Sequence, residues 1–384
     1  MDLSVLSFGA MRIIPENEET ETQALDRAFS TLRKALDVGI NHIETARGYG
    51  RSEEIIGLAL KEGIVKREEF WLTTKLGPSD SEDQFRKDLD DSMTRMGVSL
   101  VDNLDLHGIN TPELIEISTK SGGCITACEK AMNEKIVSHL GFSTHAPLEV
   151  ICDTLNTDLF SSVNLHYYYI NQRNLPAVEL AASKDMGVFI ISPTDKGGQL
   201  FKPSSKLAEL CDPLTPIEMN QRWLLNQPKV HTLSLGCERV SDFDAHLRMA
   251  NLVHGPLSSE EKAIFDRLEV AMGSLGDSYC NFCHECLPCP EDVNIPEILR
   301  LHNLLSAYDM DEFGKYRYKL FQHKDPETGA KVGGAGHWFT GADGSFCTDC
   351  GDCLPRCPRN LPIPLLLRET HEALGGEVGK RMWE

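Results

Sequence analysis

Eight short apolar runs alternate with longer amphipathic stretches between residues 5 and 253, and two tight cysteine runs follow residue 276. Together they predict an α/β chain, with a closed (β/α)8 barrel first and a small cysteine-rich domain after it. The 384 residues exceed one ordinary domain, which supports a division into 1–276 and 277–384. The first strand is read at 6–11 (LSFGAM), and the others at 41–45, 70–75, 101–107, 138–143, 162–168, 188–193 and 231–236. Spacings of about 25 to 40 residues leave room for one helix per repeat, as in a TIM barrel of ordinary length. In the intervening stretches apolar residues recur every three or four positions, and Gly39 and Gly97 stand where two of the helices should stop. An open doubly wound sheet is the alternative, but the G-x-G-x-x-G loop that usually follows its first strand is missing here. The last helix before the boundary is read at 258–276, with a serine cap and a glycine-rich exit.

A formal net charge of -20 and a pI near 5.1 make nonspecific binding to nucleic acid or anionic lipid unfavourable, because both are polyanions. The opening residues lack a basic segment ahead of a long apolar one. No stretch approaches the roughly 18 apolar residues of a membrane span, so the expected location is cytoplasmic. In such a chain 13 cysteines argue for thiols or metal ligands over a disulfide framework.

Eight of them form the two runs. Cys280, Cys283, Cys286 and Cys289 precede Pro290, and Cys347, Cys350, Cys353 and Cys357 precede Pro358. Two residues between thiols let a loop fold over a cubane. In two-cluster ferredoxins the fourth cysteine of each run ligates the other cluster. The expectation is a ferredoxin-like iron–sulfur domain with two [4Fe-4S] clusters, one on Cys280, Cys283, Cys286 and Cys357, the other on Cys347, Cys350, Cys353 and Cys289. Two four-thiolate zinc sites are the alternative, although tetrahedral zinc does not require a third cysteine at the same interval. The first run is one residue short before its fourth cysteine. The other five, Cys124, Cys128, Cys152, Cys211 and Cys237, read as small buried apolar residues.

Barrels of this kind carry chemistry at the C-terminal ends of their strands. There the chain has Glu44 and, five residues on, Tyr49; Lys75 ends the third strand and His107 the fourth. The segments GINHIETARGYGRSE, LTTK and LDLH resemble, in order, motifs of the aldo-keto reductase superfamily, and the cysteine-rich remainder resembles the subset with a C-terminal ferredoxin-like domain. That resemblance implies an NADPH-dependent oxidoreductase passing hydride to a small carbonyl substrate, with NADH the alternative nucleotide. Tyr49 would deliver the proton, Lys75 would lower the phenol's pKa, His107 would polarise the carbonyl, and Glu44 would hold Lys75. Glu44 departs from the family, which generally has aspartate there.

By the same resemblance Ser143 and Asn164 would hold the nicotinamide carboxamide. Ser192 and Gly197 would lie along the pyrophosphate, and Gly236 and Arg239 would lie by the adenosine phosphate. Glu238 beside Arg239 blurs the nucleotide preference, because a 2'-phosphate wants basic partners. Hydride transfer needs no one-electron carrier. The clusters therefore serve structure or regulation, or the chain is an electron-transfer or redox-sensing protein with its own redox partner, whose barrel binds nucleotide without carbonyl turnover. The linker and His337, Trp338 and Phe339 are expected to cover the barrel mouth. Oligomeric state is open.

Overall fold

A computed structural model describes residues 2–13, 20–252, 255–334 and 340–375, so His337, Trp338 and Phe339 lie outside the described residues. The chain divides into two compact units, residues 1–197 with 220–256, and residues 198–219 with 257–384. This packing boundary differs from the sequence boundary at 276: the stretch 257–276 groups with the cysteine-rich segment, as does 198–219.

The first unit is a closed barrel of eight parallel strands joined in sequence order. They are β1 (Leu6–Gly9), β2 (His42–Glu44), β3 (Trp71–Leu76), β4 (Val101–His107), β5 (Val137–Ser143), β6 (Ser162–Leu165), β7 (Gly187–Ile191) and β8 (Thr232–Leu235). Each coincides with an expected run. β6 stops at Leu165 and does not reach Tyr168, because the backbone of Tyr168 pairs with that of Asn171 in a tight turn, at 3.0 Å in both directions. The helix Glu82–Met96 ends where the sequence predicts, on Gly97 at φ 66°, a left-handed position that costs a glycine nothing.

Alternation along the strands puts Phe8, Ile43, Leu72, Leu104, Phe142 and Val163 on the buried face toward the helices. The opposite, inward face is polar. Ser7 Oγ lies 2.7 Å from His42 Nδ1 and 2.7 Å from Thr232 Oγ1, and His42 Nε2 lies 2.8 Å from Thr73 Oγ1. Every polar group taken inside needs such a partner, because an unpaired one costs about 1–3 kcal/mol.

Burial also holds the imidazoles of His42 and His246 neutral, each pushed down to about 4. Below about pH 6.5 the unfolded chain binds these protons, whereas the folded chain does not until about pH 4, so stability falls across that window as pH falls. Asp105, whose carboxyl is pushed up to about 7 by burial, and Glu53, also raised by burial, work in the opposite sense, while His107, likewise pushed down to about 4, adds to the two histidines. The melting temperature should therefore drop between about pH 6.5 and about pH 4.5. A flat profile in that range counts against buried neutral histidines.

The second unit is mainly helical. Its helix Ser259–Gly273 begins on a capping box in which the Ser258 side chain accepts from Glu261 N and the Glu261 side chain accepts from Ser258 N. The helix Ile295–Tyr308 starts from Asn294, whose side chain accepts from Glu297 N, and it separates the two cysteine runs in sequence. Of the five cysteines outside those runs, Cys124, Cys128, Cys211 and Cys237 are buried and Cys152 is half-buried.

Candidate active site

Glu44 closes β2, and a turn carries the chain to Tyr49, held by Tyr49 N donating to Ala46 O at 3.0 Å. Lys75 Nζ donates to Glu44 Oε2 at 2.8 Å and to Thr45 O at 3.3 Å, with Lys75 2% and Glu44 4% exposed. The same ammonium lies 5.5 Å from the centre of the Tyr49 ring, and the His107 ring meets that ring edge-on at 5.5 Å. All four predicted residues thus converge.

Gly9, paired with Glu44 on β1, leaves room for the Ser234 side chain beside the glutamate. A Cβ there would lie 2.8 Å from Ser234 Oγ and 3.5 Å from Glu44 Oε1. With that room, Glu44 Oε1 accepts from Ser234 Oγ, and Oε2 accepts from Asn164 Nδ2 at 3.1 Å besides Lys75.

Lys75 does not act on the phenol alone. Lys75 does pull the Tyr49 phenol down, but the phenol sits above its ordinary value, because burial and the charges of Glu44 and Asp105 outweigh the lysine. Lys75 itself is raised against its own burial by Glu44, Tyr49 and Asp105, and Glu44 is lowered by Lys75 despite burial. Burial and the lysine push His107 down to about 4, so its imidazole is neutral near pH 7. Sequence reading passed over Asp105. It stands two residues before His107 on β4, hence on the same face, and alternation alone was the signal that could have found it.

Of the predicted nucleotide contacts, Ser143 and Asn164 pair across β5 and β6 next to this cluster. Ser143 Oγ accepts from Gly108 N at 3.1 Å, which leaves its hydroxyl proton to donate. Asn164 Nδ2 donates to both Glu44 and Asp105, while its buried Oδ1 has no partner among the described residues. A primary carboxamide offers the complementary pair, an N–H for Asn164 and a carbonyl for Ser143, so the two fit a nicotinamide.

Ser192 and Gly197 share one tight turn, with Gly197 N donating to Ser192 O at 3.3 Å, and a side chain at Gly197 would collide with Pro193 O. Gly236 and Arg239 lie after β8. Glu238, which looked unfavourable for a 2'-phosphate, is paired with Arg12 at 3.2 Å, and Arg27 donates to its carbonyl at 3.0 Å. Two arginines distant in sequence thus join Arg239 there.

In the second unit the two cysteine runs adopt the same local shape. Phe282 and His284 in the first, and Asp349 and Gly351 in the second, occupy equivalent positions with φ of 58°, 64°, 54° and 77°. The N–H of Phe282 favours the Cys280 thiolate and that of Asp349 the Cys347 thiolate, each against the burial that raises the thiol. Successive N–H groups turned into one hollow make an anion-binding nest of the type found at iron–sulfur sites.

Cys357 is an electrostatic neighbour of Cys280, and Cys289 of both Cys347 and Cys353, while Cys286 is also one of Cys353. Cys289, Cys347, Cys350 and Cys353 line one pocket. A cubane spreads its thiolates over four iron corners, so this donor set fits a cluster better than zinc.

Residues 279–361 match the 4Fe-4S dicluster domain model. The chain is 28% identical to L-galactose dehydrogenase of Arabidopsis thaliana across 223 residues, 53% of this chain and 68% of that protein. It is 29% identical to methylglyoxal reductase DkgA of Salmonella typhimurium across 204 residues, 52% of this chain and 71% of that protein. Among solved structures, the holo form of aldo-keto reductase AKR11C1 from Bacillus halodurans superposes with a TM-score of 0.56 at 23% identity, covering 69% of this chain and 92% of that one. An aldo-keto reductase from Klebsiella pneumoniae in complex with NADPH gives 0.55 at 19% identity, covering 69% and 91%, and at such identities the likeness is one of fold. No described helix is long and apolar enough to cross a membrane. Residues 5–269 match the Aldo/keto reductase family model, and the chain belongs to that family.

Proposed function

We propose that this chain reduces a small carbonyl compound with NADPH, and that a C-terminal domain beginning near residue 277 holds two [4Fe-4S] clusters on the crossed cysteine sets. The observation that carries the reading is the buried Lys75–Glu44 pair, 2.8 Å long, set beside Tyr49 and His107. NADPH, when bound, supplies the hydride. Asn164 Oδ1 and the Ser143 hydroxyl hold the carboxamide, and Arg12, Arg27 and Arg239 supply basic groups for a 2'-phosphate.

The substrate oxygen takes hydrogen bonds from the Tyr49 phenol and the neutral His107 ring. As that oxygen becomes an alkoxide, Tyr49 gives up its proton, because an alkoxide is a stronger base than a phenolate. Lys75 then faces the new phenolate, and Glu44 keeps the ammonium in place. The raised phenol makes the site a reductase first. The phenol is protonated throughout the neutral range, whereas alcohol oxidation needs the phenolate. With NADPH saturating, reduction should be flat from about pH 6 to about pH 8, and alcohol oxidation should climb with pH to beyond about 10. Equal profiles in both directions would remove Tyr49 from the proton step.

The deciding experiment starts from anaerobically prepared protein with iron and sulfide quantified. NADPH oxidation is then followed against aldehydes, ketones and quinones, beginning with methylglyoxal and aldoses because two relatives are named for such compounds. Turnover without bleaching of the clusters supports the proposal. Bleaching by NADPH with no carbonyl turnover supports the electron-transfer reading and its redox partner. The observation in that reading's favour is the second carboxylate, Asp105, which weakens the pull of Lys75 on the phenol.

A further inference from the structure

Asp105 lies on β4 opposite Lys75 on β3 and Gly141 on β5, and it is 1% exposed. Its Oδ1 accepts from Asn103 Nδ2 at 2.7 Å and its Oδ2 from Asn164 Nδ2 at 3.0 Å. The space is made for it, since a side chain at Gly141 would collide with Asp105 Oδ1 and Ser162 Oγ. The Asn164 amide is therefore clamped from two sides: one N–H goes to Asp105 Oδ2, the other to Glu44 Oε2 at 3.1 Å. Both oxygens of Asp105 act as acceptors, and both hydrogens of the Asn164 amide are used. That leaves Asn164 Oδ1 as the unpartnered atom of the side chain, with its orientation imposed by two carboxylates.

Without Asp105 the amide has reason to turn over. Glu44 would still accept one N–H, but the Lys75 ammonium next to it is a strong donor that attracts a carbonyl oxygen. A flipped Asn164 would present N–H groups where a nicotinamide carboxamide also presents N–H. Resting on the proposed NADPH reading, we infer that Asp105 is a positioning residue for the nicotinamide: it fixes the orientation of Asn164 so that Oδ1 is offered to the carboxamide. The ionisation of Asp105 then matters. Its carboxyl is pushed up to about 7, with burial the largest cause, Glu44 adding to it, and Lys75 and Asn103 opposing. The charged groups facing it are Glu44 from β2, Lys75 from β3 and Tyr49 from the turn after β2. A proton on Oδ2 makes that oxygen a donor toward the Asn164 amide, and the clamp on Asn164 is lost. The sign follows: the nicotinamide contribution to binding falls as pH falls through about 7.

The test is calorimetric titration of full-length, cluster-loaded protein with NADPH and with adenosine 2',5'-bisphosphate, which carries the same adenosine phosphates and no nicotinamide. Wild type should bind NADPH more tightly than the bisphosphate, and that ratio should increase with pH across about 6 to about 8. Asp105→Asn should cut NADPH affinity by about tenfold or more, leave bisphosphate affinity within about twofold, and abolish the pH dependence of the ratio. Bisphosphate binding reports that the variant is folded, and if it is not, the wild-type pH profile of the ratio still decides. Unchanged NADPH affinity in Asp105→Asn, or a pH-independent ratio in wild type, overturns the role of Asp105 alone. No NADPH binding by wild type overturns the cofactor reading and this role with it.

Discussion

Lys75→Met should be the most damaging single change in the barrel, costing roughly 3–5 kcal/mol of stability and nearly all carbonyl reduction. The lysine is 2% exposed, and its partner Glu44 is 4% exposed, with Asp105 at 1% across from it. Methionine fills the stem's volume but leaves two buried carboxylates without a cation. Their folded-state pKa values rise above those of the unfolded chain, so the lost stability grows as pH rises through them and shrinks as pH falls. The difference between variant and wild type, measured anaerobically by denaturant unfolding, should be larger at about pH 8 than at about pH 5. Glu44→Gln in the same chain should recover part of the loss. A pH-independent difference sinks this account, because a packing defect has no reason to titrate.

The sequence exposed the barrel well because each strand's outward residues must be apolar to meet the helices, and that requirement repeats eight times. Phe8, Ile43, Leu72 and Leu104 carry it. The four clustered residues Glu44, Tyr49, Lys75 and His107 were legible because strand ends are fixed by that same repeat. What stayed hidden were contacts that depend on register between strands. Ser234 reaches Glu44 from 190 positions away. Asp105 becomes a member of the site only when Lys75 is seen opposite it. The room Gly9 leaves for Ser234 beside Glu44 is likewise a property of pairing, since Gly9 is 35 positions from the glutamate it pairs with.

Surface electrostatics were the least legible. Glu238 beside Arg239 looked like a repulsive element for a 2'-phosphate in the linear sequence. In three dimensions Arg12 neutralises it at 3.2 Å and Arg27 binds its carbonyl. The division of the chain is a similar case. Family-model boundaries break between 269 and 279, whereas the packing units assign 198–219 and 257–276 to the side of the cysteine-rich segment. A boundary read from composition follows sequence texture; a packing unit follows which apolar faces meet.

The cysteine sets are decided by pairs of substitutions. If the fourth cysteines cross, Cys357 serves the cluster of the first run. Cys357→Ser with Cys283→Ser then damages one cluster and should leave about four of about eight irons, whereas Cys357→Ser with Cys350→Ser damages both and should leave few. If each run closes on itself, the two results exchange. Cys283 and Cys350 suit the purpose because both are exposed, so serine there disturbs little packing. The structure favours crossing on two counts: Cys357 is an electrostatic neighbour of Cys280, and Cys289 lines one cavity with Cys347, Cys350 and Cys353. Crossing has a mechanical consequence as well. A ligand bond between positions 280 and 357, with a second between 289 and 347, closes the intervening chain twice and removes conformational entropy from the unfolded state. Loss of Cys289 or Cys357 should therefore lower the melting temperature of the whole cysteine-rich domain, while loss of Cys283 or Cys350 lowers it less. Equal destabilisation by all four would leave the crossing without mechanical weight, and the iron counts alone would then report the ligand sets.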